Sequence, residues 1–328
     1  MFADKTKIKY YFIGLFLVLF GFLLGKIGSQ KSNIQLTESR RQENYQFINP
    51  LLECEFTNFS QNIAYDNLKD KILDHIKKLK SSQQITQISV YFRDLNNGPW
   101  LGINEKEDFS PASLIKVPLL ITYYKEAEKN PNILKQSLTY TPIKIDKQDI
   151  LPSVTLTPNQ SYTVDELIRN MIVYSDNTAY ELLLNNIDNQ LLVDTYTNLG
   201  INLDKAFLNP SGNILSVKSY AAFFRILYNG SYLNNEMSEK ALRLLSQVQY
   251  RDGLVKGINN PNVLISHKFG ERTYTDTGEK QLHDCGIVYL PQKPYLICIM
   301  TRGKDFSQLS TAIAQISKTV YQELSSQN

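Results

Sequence analysis

Apolar residues recur with two periods along most of the chain, and each period predicts a different kind of element. A helix is predicted over about 66–81 by apolar residues three or four apart, namely Leu68, Ile72, Leu73, Ile76 and Leu79. The following stretch, QISVYFRDL, alternates and is rich in β-branched and aromatic residues, which predicts a strand. The Asn-Asn-Gly after it predicts a hairpin turn into a second strand, PWLGIN.

The middle of the chain, about 113–250, is predicted to be mostly helical. Its helical segments are TVDELIRNMIVYS, TAYELLLNNI, SVKSYAAFFRILYNG and SEKALRLLSQV, and we expect Ser216 and Ser238 to cap the last two. Strand patterns return in NVLISHKFG, LHDCGIVYL and YLICIMTRG. A final helix is predicted from about Ser307 to Leu324.

Two strands near the front, three near the end and helices between them argue against repeated βαβ units. The three rear strands have short connections, which favour antiparallel pairing. The pattern therefore predicts an α/β (α+β) fold. In it, an antiparallel sheet is built from both chain ends and flanked by helices, with an inserted all-helical subdomain at about 113–250.

The N-terminal segment has neither period. Residues 10–25 carry no charge and lie between Lys9 and Lys26. With both lysines reaching outward, this run can cross a hydrocarbon core of about 30 Å. We therefore expect a cytoplasmic tail at 1–9 and a single-pass transmembrane anchor at 10–27, which would hold the folded domain at the cell membrane on its extracytoplasmic side.

A cleaved signal peptide is the alternative to an anchor. Its apolar region would be long, no A-x-A-like site follows, and Lys26 interrupts the place where such a site would fall. The polar stretch 28–46 has no periodicity and is predicted to be a tether. Globular patterning begins at Phe47, so the folded domain is expected at 47–328.

Composition excludes some classes of function. The 328 residues are 42% hydrophobic and have a net charge of +3, without a basic stripe or nucleic-acid motif, so no nucleic-acid partner is expected. The histidines His75, His267 and His283 lack metal-ligand spacing, and no C-x-x-C motif occurs. We expect neither a metal nor another cofactor.

The three cysteines permit one disulfide bond in an oxidising compartment. Cys285 and Cys298 lie on two apolar runs joined by Pro-Gln-Lys-Pro, and can face each other across that hairpin, whereas Cys54 lies far away in sequence. Buried, reduced thiols are the favoured interpretation, and a disulfide is the alternative.

Lys116 is a charged residue inside the apolar run FSPASLIKVPLL. A lysine desolvated in this way has a lowered pKa and can act as a base. Ser113 lies three residues earlier, so that its hydroxyl shares a helix face with the amine. The S-x-x-K spacing alone is common, and a Ser cap followed by a lysine that reaches solvent is its ordinary interpretation.

Two further motifs follow. Ser175-Asp176-Asn177 precedes a helical run, where a helix cap is the ordinary interpretation. Lys268 ends a strand that closes on Phe269 and Gly270.

In this order and at these separations, the three motifs resemble those of the class A β-lactamase and penicillin-binding protein superfamily. The resemblance extends to the stretches FSPASLIKVPLL, YSDNTAYELLL, HKFGE and HDCGIVY, and covers about residue 66 to the end. It implies that Ser113 is the nucleophile toward a strained or D,D-type amide, that Lys116 is the general base, and that Ser175 relays a proton to the leaving nitrogen.

The resemblance also implies a substrate-binding set. Asn177 would bind the substrate's side-chain amide, and Lys268 would attract its carboxylate, as part of the Lys268-Phe269-Gly270 motif. The backbone N–H groups of Ser113 and Glu271 would form the oxyanion hole.

The chain departs from the family pattern at three places. Phe269 stands where threonine or serine is usual, which removes a hydroxyl that would help to bind a carboxylate. Cys285 stands where many class A enzymes have an arginine, and Arg272 and Arg302 are the candidates to replace it.

The third departure is Lys205, in the place of the glutamate that activates the deacylating water in class A β-lactamases. Asp204 is adjacent, and Asn209 remains as a residue that can position such a water.

These features predict a serine hydrolase of the class A β-lactamase type that is acylated on Ser113 and deacylates slowly. Its partners would be a β-lactam or a substrate resembling a peptidoglycan stem peptide, and the membrane through the N-terminal helix. A D-alanyl-D-alanine carboxypeptidase or related wall peptidase is one alternative. A catalytically weak domain that binds wall peptide is another.

Overall fold

The computed structural model describes residues 39–40, 45–49, 51–53, 65–81, 85–96, 98–142, 148–151, 156–199 and 212–326. The predicted tail, anchor and most of the tether lie outside these residues, as do Cys54, Asp204, Lys205 and Asn209. In the part of the chain that is described, no helix is both long and apolar enough to cross a membrane.

Two short strands near the N-terminus belong to a small unit of their own. Strands β1 (Ser39–Arg40) and β2 (Leu51–Glu53) pair antiparallel, so a strand lies within the stretch predicted to be a polar tether. The other described residues belong to the second, much larger unit.

The larger unit is built on a five-stranded antiparallel sheet in the order β4-β3-β11-β10-β9. Its strands are β3 (Ile85–Asp94), β4 (Trp100–Ile103), β9 (Ile265–Thr273), β10 (Lys280–Val288) and β11 (Tyr295–Gly303). Front and rear strands meet where β3 pairs with β11. The predicted fold class, with a sheet assembled from both chain ends, is therefore confirmed.

Helices cover this sheet. The described ones are α1 (Asp66–Lys80), α2 (Lys116–Ala127), α3 (Val164–Val173), α4 (Asn177–Leu184), α5 (Asn189–Asn198), α6 (Val217–Asn229), α7 (Asn235–Leu245), α8 (Leu254–Ile258) and α9 (Phe306–Ser325). Helix α9 packs against α1, β10 and β11, and α6 packs against β3 and β11. Strands β10 and β11 are buried along nearly their whole length, which agrees with the apolar runs CGIVYLP and PYLICIM that begin within or just before them.

Two short strand pairs and two 3₁₀ turns join these elements. Strand β5 (Asp108–Phe109) pairs with β8 (Leu215–Ser216), and β6 (Ser137–Thr139) pairs with β7 (Ser161–Thr163). Strands β6, β7 and β8 lie within 113–250, so the prediction that this inserted subdomain is all-helical is wrong: strands of two or three residues are too short to show an alternating pattern. The 3₁₀ turns span Ala112–Ile115 and Pro131–Lys135.

One of the two predicted helix caps is correct. Ser216 caps α6, because its hydroxyl accepts the backbone N–H of Ser219 at 3.2 Å. The predicted cap at Ser238 is wrong: Asn234 caps α7 by accepting from Met237 N at 2.9 Å, and Ser238 is buried inside the helix. Asparagine is as good a cap as serine, and the polar first turn of α7 shows no apolar period from which to place the helix start.

The favoured interpretation of reduced thiols in the hairpin is also wrong. Cys285 and Cys298 are paired directly across β10 and β11, with Cα atoms 4.0 Å apart, and form a disulfide bond. Opposite residues of an antiparallel pair point to the same face of the sheet, so this register brings the two sulfur atoms together.

Residues 45–49 dock on the helical side of the larger unit. The buried carboxylate of Glu239 accepts three consecutive backbone N–H groups, from Gln46 at 3.1 Å, Phe47 at 2.8 Å and Ile48 at 3.2 Å. The Phe47 ring is 3% exposed and packs edge-on against Tyr289. This agrees with the start of globular patterning at Phe47.

Candidate active site

Ser113 and Lys116 meet because a 3₁₀ turn leads directly into α2. Ser113 lies in the turn, and Lys116 is the first residue of the α-helix. Residues i and i+3 eclipse in a 3₁₀ helix, and Lys116 Nζ lies 3.0 Å from Ser113 Oγ. Ala112, just before the serine, has a φ of 45°, in the left-handed region that only glycine adopts freely.

Lys116 is surrounded by acceptors although its side chain is buried. It is 1% exposed and contacts Ser113 Oγ, the carbonyl of Ser175, Ser175 Oγ at 3.3 Å and Asn177 Oδ1 at 2.7 Å. Burial lowers the pKa of Lys116 to about 7, against the charges of Asp176, Glu271 and Glu181. The amine is therefore available in its neutral, basic form at neutral pH.

The segment between α3 and α4 brings Ser175 and Asn177 to the lysine. Ser175 has a φ of 58°, and a left-handed conformation at a buried serine is the kind of backbone strain found at functional sites. Asp176 caps α4 by accepting the N–H of Ala179 at 2.7 Å, which makes Asn177 the first residue of the helix.

Lys268 reaches the same serine from the sheet, but it lies within β9 and not at its end as predicted, because the strand continues through Gly270 to Thr273. Its amine is fully buried and donates to Ser175 Oγ at 2.9 Å and to the Phe269 carbonyl at 2.8 Å. Burial, and then the charge of Lys116, lower the pKa of Lys268 well below its usual value. The Ser175 hydroxyl thus lies within hydrogen-bond reach of two amines.

Gly270 allows strand β9 to approach the turn that carries the serine. A Cβ atom at position 270 would lie 3.1 Å from both Ser113 N and Leu114 N, which is tighter than nearly all real contacts. Glycine is therefore needed for this approach, and it places the next residue, Glu271, on the wall of the same cleft as Ser113.

The cleft has a volume of about 880 Å³. Four of the sequence-predicted residues line it, namely Ser113, Lys116, Asn177 and Glu271. Ser175 and Lys268 are buried and do not line the cleft: the Ser175 hydroxyl accepts a hydrogen bond from Lys116, which does, and Lys268 donates to the same hydroxyl. The Phe269 ring is buried and stacks on Tyr250 at 4.4 Å, so it is not part of the wall that was expected to bind substrate.

The two candidate arginines differ in position. Arg272 lines the cleft, donates to Ser110 Oγ at 3.0 Å and stacks on the Tyr274 ring. Arg302 is engaged elsewhere, with Glu107 at 3.2 Å and Glu279 at 3.3 Å. Arg272 is therefore the arginine that a substrate in the cleft would meet.

Sequence reasoning missed several polar groups around the motifs. Gln148, Asp149 and Glu181 also line the cleft, and no periodicity or spacing marked them. Between neighbouring strands, His267 Nδ1 on β9 and Asp284 Oδ1 on β10 lie 2.8 Å apart, both fully buried. Among the described residues, no cluster of His, Cys, Asp or Glu is arranged to hold a metal ion.

Comparisons with known proteins agree with this arrangement. The model of the beta-lactamase enzyme family matches residues 68–324. Beta-lactamase VEB-1 of Pseudomonas aeruginosa is 22% identical over 287 residues, which cover 80% of this chain and 92% of that protein.

Solved structures share the fold. PBP-A has a TM-score of 0.65 at 24% identity, with 80% of this chain and 97% of PBP-A covered. A beta-lactamase from Xanthomonas campestris has a TM-score of 0.67 at 19% identity, with 78% and 98% covered. Since the family model spans most of the chain and the S-x-x-K, Ser-Asp-Asn and Lys-Phe-Gly motifs converge at one cleft, the chain belongs to the beta-lactamase enzyme family.

Proposed function

We propose that this protein is a membrane-anchored, extracytoplasmic serine hydrolase that is acylated on Ser113 by β-lactams or D,D-peptide-like amides. The observation that carries the proposal is the environment of Lys116. Its amine, with a pKa near 7, lies within 3.3 Å of the hydroxyls of both Ser113 and Ser175. A base with a pKa near the working pH is the one best suited to move a proton between a nucleophile and a leaving group.

Acylation then follows from the hydrogen bonds. Neutral Lys116 takes the proton of Ser113 while Oγ attacks the carbonyl carbon. The backbone N–H groups of Ser113 and Glu271 hold the oxyanion. As the carbon–nitrogen bond breaks, Ser175 donates its proton to the leaving nitrogen and regains one from Lys116 or Lys268. The product is an ester on Ser113.

Substrate orientation is assigned to three side chains. Asn177, at the cleft wall, binds the amide of the substrate's side chain. A substrate carboxylate is attracted by Lys268 and by Arg272, and the guanidinium of Arg272 can make two parallel hydrogen bonds to it. Arg272 thereby takes over from the arginine that Cys285 replaces.

We further propose that the ester is hydrolysed slowly. Hydrolysis needs a water and a base to take its proton, and the glutamate that serves as this base in class A enzymes is replaced by Lys205, a residue type whose reference pKa of about 10.4 makes it a poor base at neutral pH. Asn209 can hold the water but cannot deprotonate it. A PBP-A variant, 23% identical with a TM-score of 0.64 and 79% of this chain covered, was solved as an acyl-enzyme complex with penicillin G, which supports a penicillin as the acylating substrate.

A D-alanyl-D-alanine carboxypeptidase is the second candidate, and Lys205 is the observation that favours it. Carboxypeptidases of the superfamily release their acyl group without the loop glutamate. Release of D-alanine from a pentapeptide, with little hydrolysis of a chromogenic cephalosporin, would favour this activity over that of a β-lactamase.

Intact-mass spectrometry of the full-length protein after exposure to penicillin G tests acylation. We expect one penicillin mass added to the unaltered protein, located on Ser113 by peptide mapping, and no addition to Ser113→Ala. Absence of both an adduct and any hydrolysis of penicillin G by the unaltered protein would overturn the proposal. Wall peptide that binds equally well to Ser113→Ala would then favour a domain that binds without catalysis.

Membrane anchoring rests on the uncharged run at 10–25, and the disulfide bond supports an oxidising, extracytoplasmic compartment. Fractionation of the native host tests it. The protein should be found intact in the membrane fraction. Soluble protein that begins near Ser29 or Gln30 would show a cleaved signal peptide instead.

A further inference from the structure

Residues 148–151 are fastened to strand β9 by the side chain of Glu271. The backbone N–H groups of Asp149 and Ile150 both donate to Glu271 Oε1, at 2.9 and 3.0 Å. In addition, Thr273 Oγ1 donates to Asp149 Oδ2 at 2.8 Å. Three hydrogen bonds therefore tie this segment, which we call the strap, to one wall of the cleft.

The other end of the strap is tied to the opposite wall. Gln148 Nε2 donates to the carbonyl of Tyr174 at 3.2 Å, and Tyr174 immediately precedes Ser175. Gln148 and Asp149 also line the cleft. The strap is therefore held both by strand β9 and by the segment between α3 and α4, and two of its residues line the same cleft as Ser113.

Glu271 is the main fastening of the strap. Its Oε1 accepts both backbone donors, while Oε2 is buried without a hydrogen-bond partner among the described residues. Burial raises the pKa of Glu271, and the two backbone hydrogen bonds act against that rise. Since Glu271 accepts two hydrogen bonds from the strap whereas Thr273 makes one, loss of the Glu271 side chain should free the strap more than loss of Thr273.

We propose that Glu271 is a specificity-determining residue whose side chain holds the 148–151 strap across the cleft, so that the strap limits the size of substrate that reaches Ser113. Small amides pass beneath the closed strap. Bulky substrates reach Ser113 only after the strap's hydrogen bonds break. The size selection rests on the proposed acylation of Ser113, whereas the fastening of the strap does not.

Hydrogen–deuterium exchange on the full-length protein tests the fastening. Glu271→Ala should speed exchange at Asp149 and Ile150 about 10- to 100-fold, the usual effect of losing hydrogen bonds to a charged group. Glu271→Gln keeps an oxygen acceptor in place and should give a smaller increase. Unchanged exchange in Glu271→Ala would overturn the proposal.

Two threonines of the same cleft wall supply a matched pair of variants for the exchange experiment. Thr273→Ala removes one hydrogen bond from the strap, whereas Thr275 makes no hydrogen bond to residues 148–151. Exchange in the strap should rise several-fold in Thr273→Ala and stay unchanged in Thr275→Ala. If Glu271→Ala does not fold, this pair decides: equal exchange in the two threonine variants would overturn the fastening.

Acylation rates test the selection by size. The probes are 6-aminopenicillanic acid, which has no acyl side chain, and a penicillin that carries a bulky fluorophore. Glu271→Ala should raise the bulky-to-small rate ratio at least fivefold, and an unchanged ratio would overturn the size selection. A disturbed oxyanion hole slows both probes alike and cancels in the ratio. Failure of the unaltered protein to react with either probe would overturn the proposed function, while the exchange result on the strap would stand.

Discussion

Lys268 Nζ lies 2.9 Å from Ser175 Oγ, and Lys116 Nζ lies 3.3 Å from the same oxygen. All three groups are buried. Two ammonium groups this close, in a site with little water, disfavour each other, which adds to the effect of burial on the pKa of Lys268. This arrangement allows one proton to be transferred between the two amines through the hydroxyl of Ser175.

The first prediction concerns pH. Lys116 acts as a base when it is neutral, and burial lowers its pKa to about 7. The second-order rate of acylation by penicillin should therefore rise with pH, with a midpoint near 7. The pH–rate profile, measured by stopped flow or quenched mass spectrometry, checks this. A flat profile through neutral pH would contradict the role of Lys116.

Asp176→Asn tests how far the charge of a neighbouring carboxylate sets the pKa of Lys116. The negative charge of Asp176 raises the pKa of Lys116, so its removal should shift the midpoint to lower pH. Asparagine caps a helix as well as aspartate does, so α4 should keep its start. A midpoint that moves upward would show that other groups control the lysine.

Lys116→Met should separate catalysis from stability. Acylation should fall by about 10²–10⁴, the usual contribution of a positioned general base. Between pH 7 and the ordinary lysine pKa, the unfolded chain binds a proton at Lys116 that the folded chain does not, because folding lowers the pKa. The free energy of unfolding therefore rises with pH across this range. Below pH 7 the lysine is charged in both states, and its burial destabilises the fold in full. At neutral pH the apolar variant should gain about 1–3 kcal/mol in the free energy of unfolding.

Urea unfolding and acylation assays on the same samples check both parts. Lys125→Met, a partly exposed lysine on the same helix, is the control. It should leave acylation unchanged. Equal acylation rates in Lys116→Met and the unaltered protein would remove Lys116 from the mechanism.

Lys205→Glu addresses the lifetime of the acyl-enzyme. The penicilloyl ester on the unaltered protein should persist from minutes to hours, because no carboxylate stands at the family's deacylating position. A glutamate there should shorten that lifetime, and Lys205→Gln should not. A mass-spectrometric time course measures both. Rapid turnover by the unaltered protein would instead indicate Asp204 or Lys116 as the deacylating base.

Glu239→Gln should weaken the docking of residues 45–49. Both carboxylate oxygens of Glu239 accept backbone N–H groups of this segment, but an amide has only one oxygen that can do so. Its NH₂ group would face N–H donors and could not accept from them. The free energy of unfolding should fall by about 1–3 kcal/mol. Arg243→Ala removes the half-exposed ion partner of Glu239 and its contact with the Phe47 ring but leaves all three backbone hydrogen bonds to Glu239, so it should cost less than Glu239→Gln, about 1 kcal/mol. Equal losses in the two variants would contradict the docking role.

The disulfide bond can be checked by counting thiols. Under denaturing, non-reducing conditions, alkylation should modify one cysteine, Cys54, and after reduction it should modify all three. Three modified cysteines without reduction would restore the interpretation of reduced thiols. Peptide mapping identifies which residues have reacted.

The sequence predicts those features of the molecule that depend on residues close together in the chain. Strands β10 and β11 are visible as apolar runs because both are buried along their length. The contact of Ser113 with Lys116 follows from a three-residue spacing. The disulfide depends on the register between two strands, which a one-residue shift would change, and the apolar runs do not fix that register.

Contacts between distant segments could not be predicted in this way. Glu271 binds the N–H groups of Asp149 and Ile150, more than a hundred residues away, and backbone donors leave no mark in a sequence. Similarly, Arg272 and Arg302 are equivalent in composition, and only the fold shows that Arg302 is held by Glu107 and Glu279. Phe269 belongs to a motif, yet its ring packs on Tyr250.

The pairing of β3 with β11 has a consequence for biosynthesis. Residues about 200 positions apart lie opposite each other, for example Asp94 and Tyr295, and such non-local pairs form late in folding. Ser113 leaves the ribosome long before Lys268 does, and β9 has no sheet to join until β10 and β11 follow. Ser113 therefore stays without its second lysine until almost the whole chain has been made, so the site is assembled only after synthesis is nearly complete.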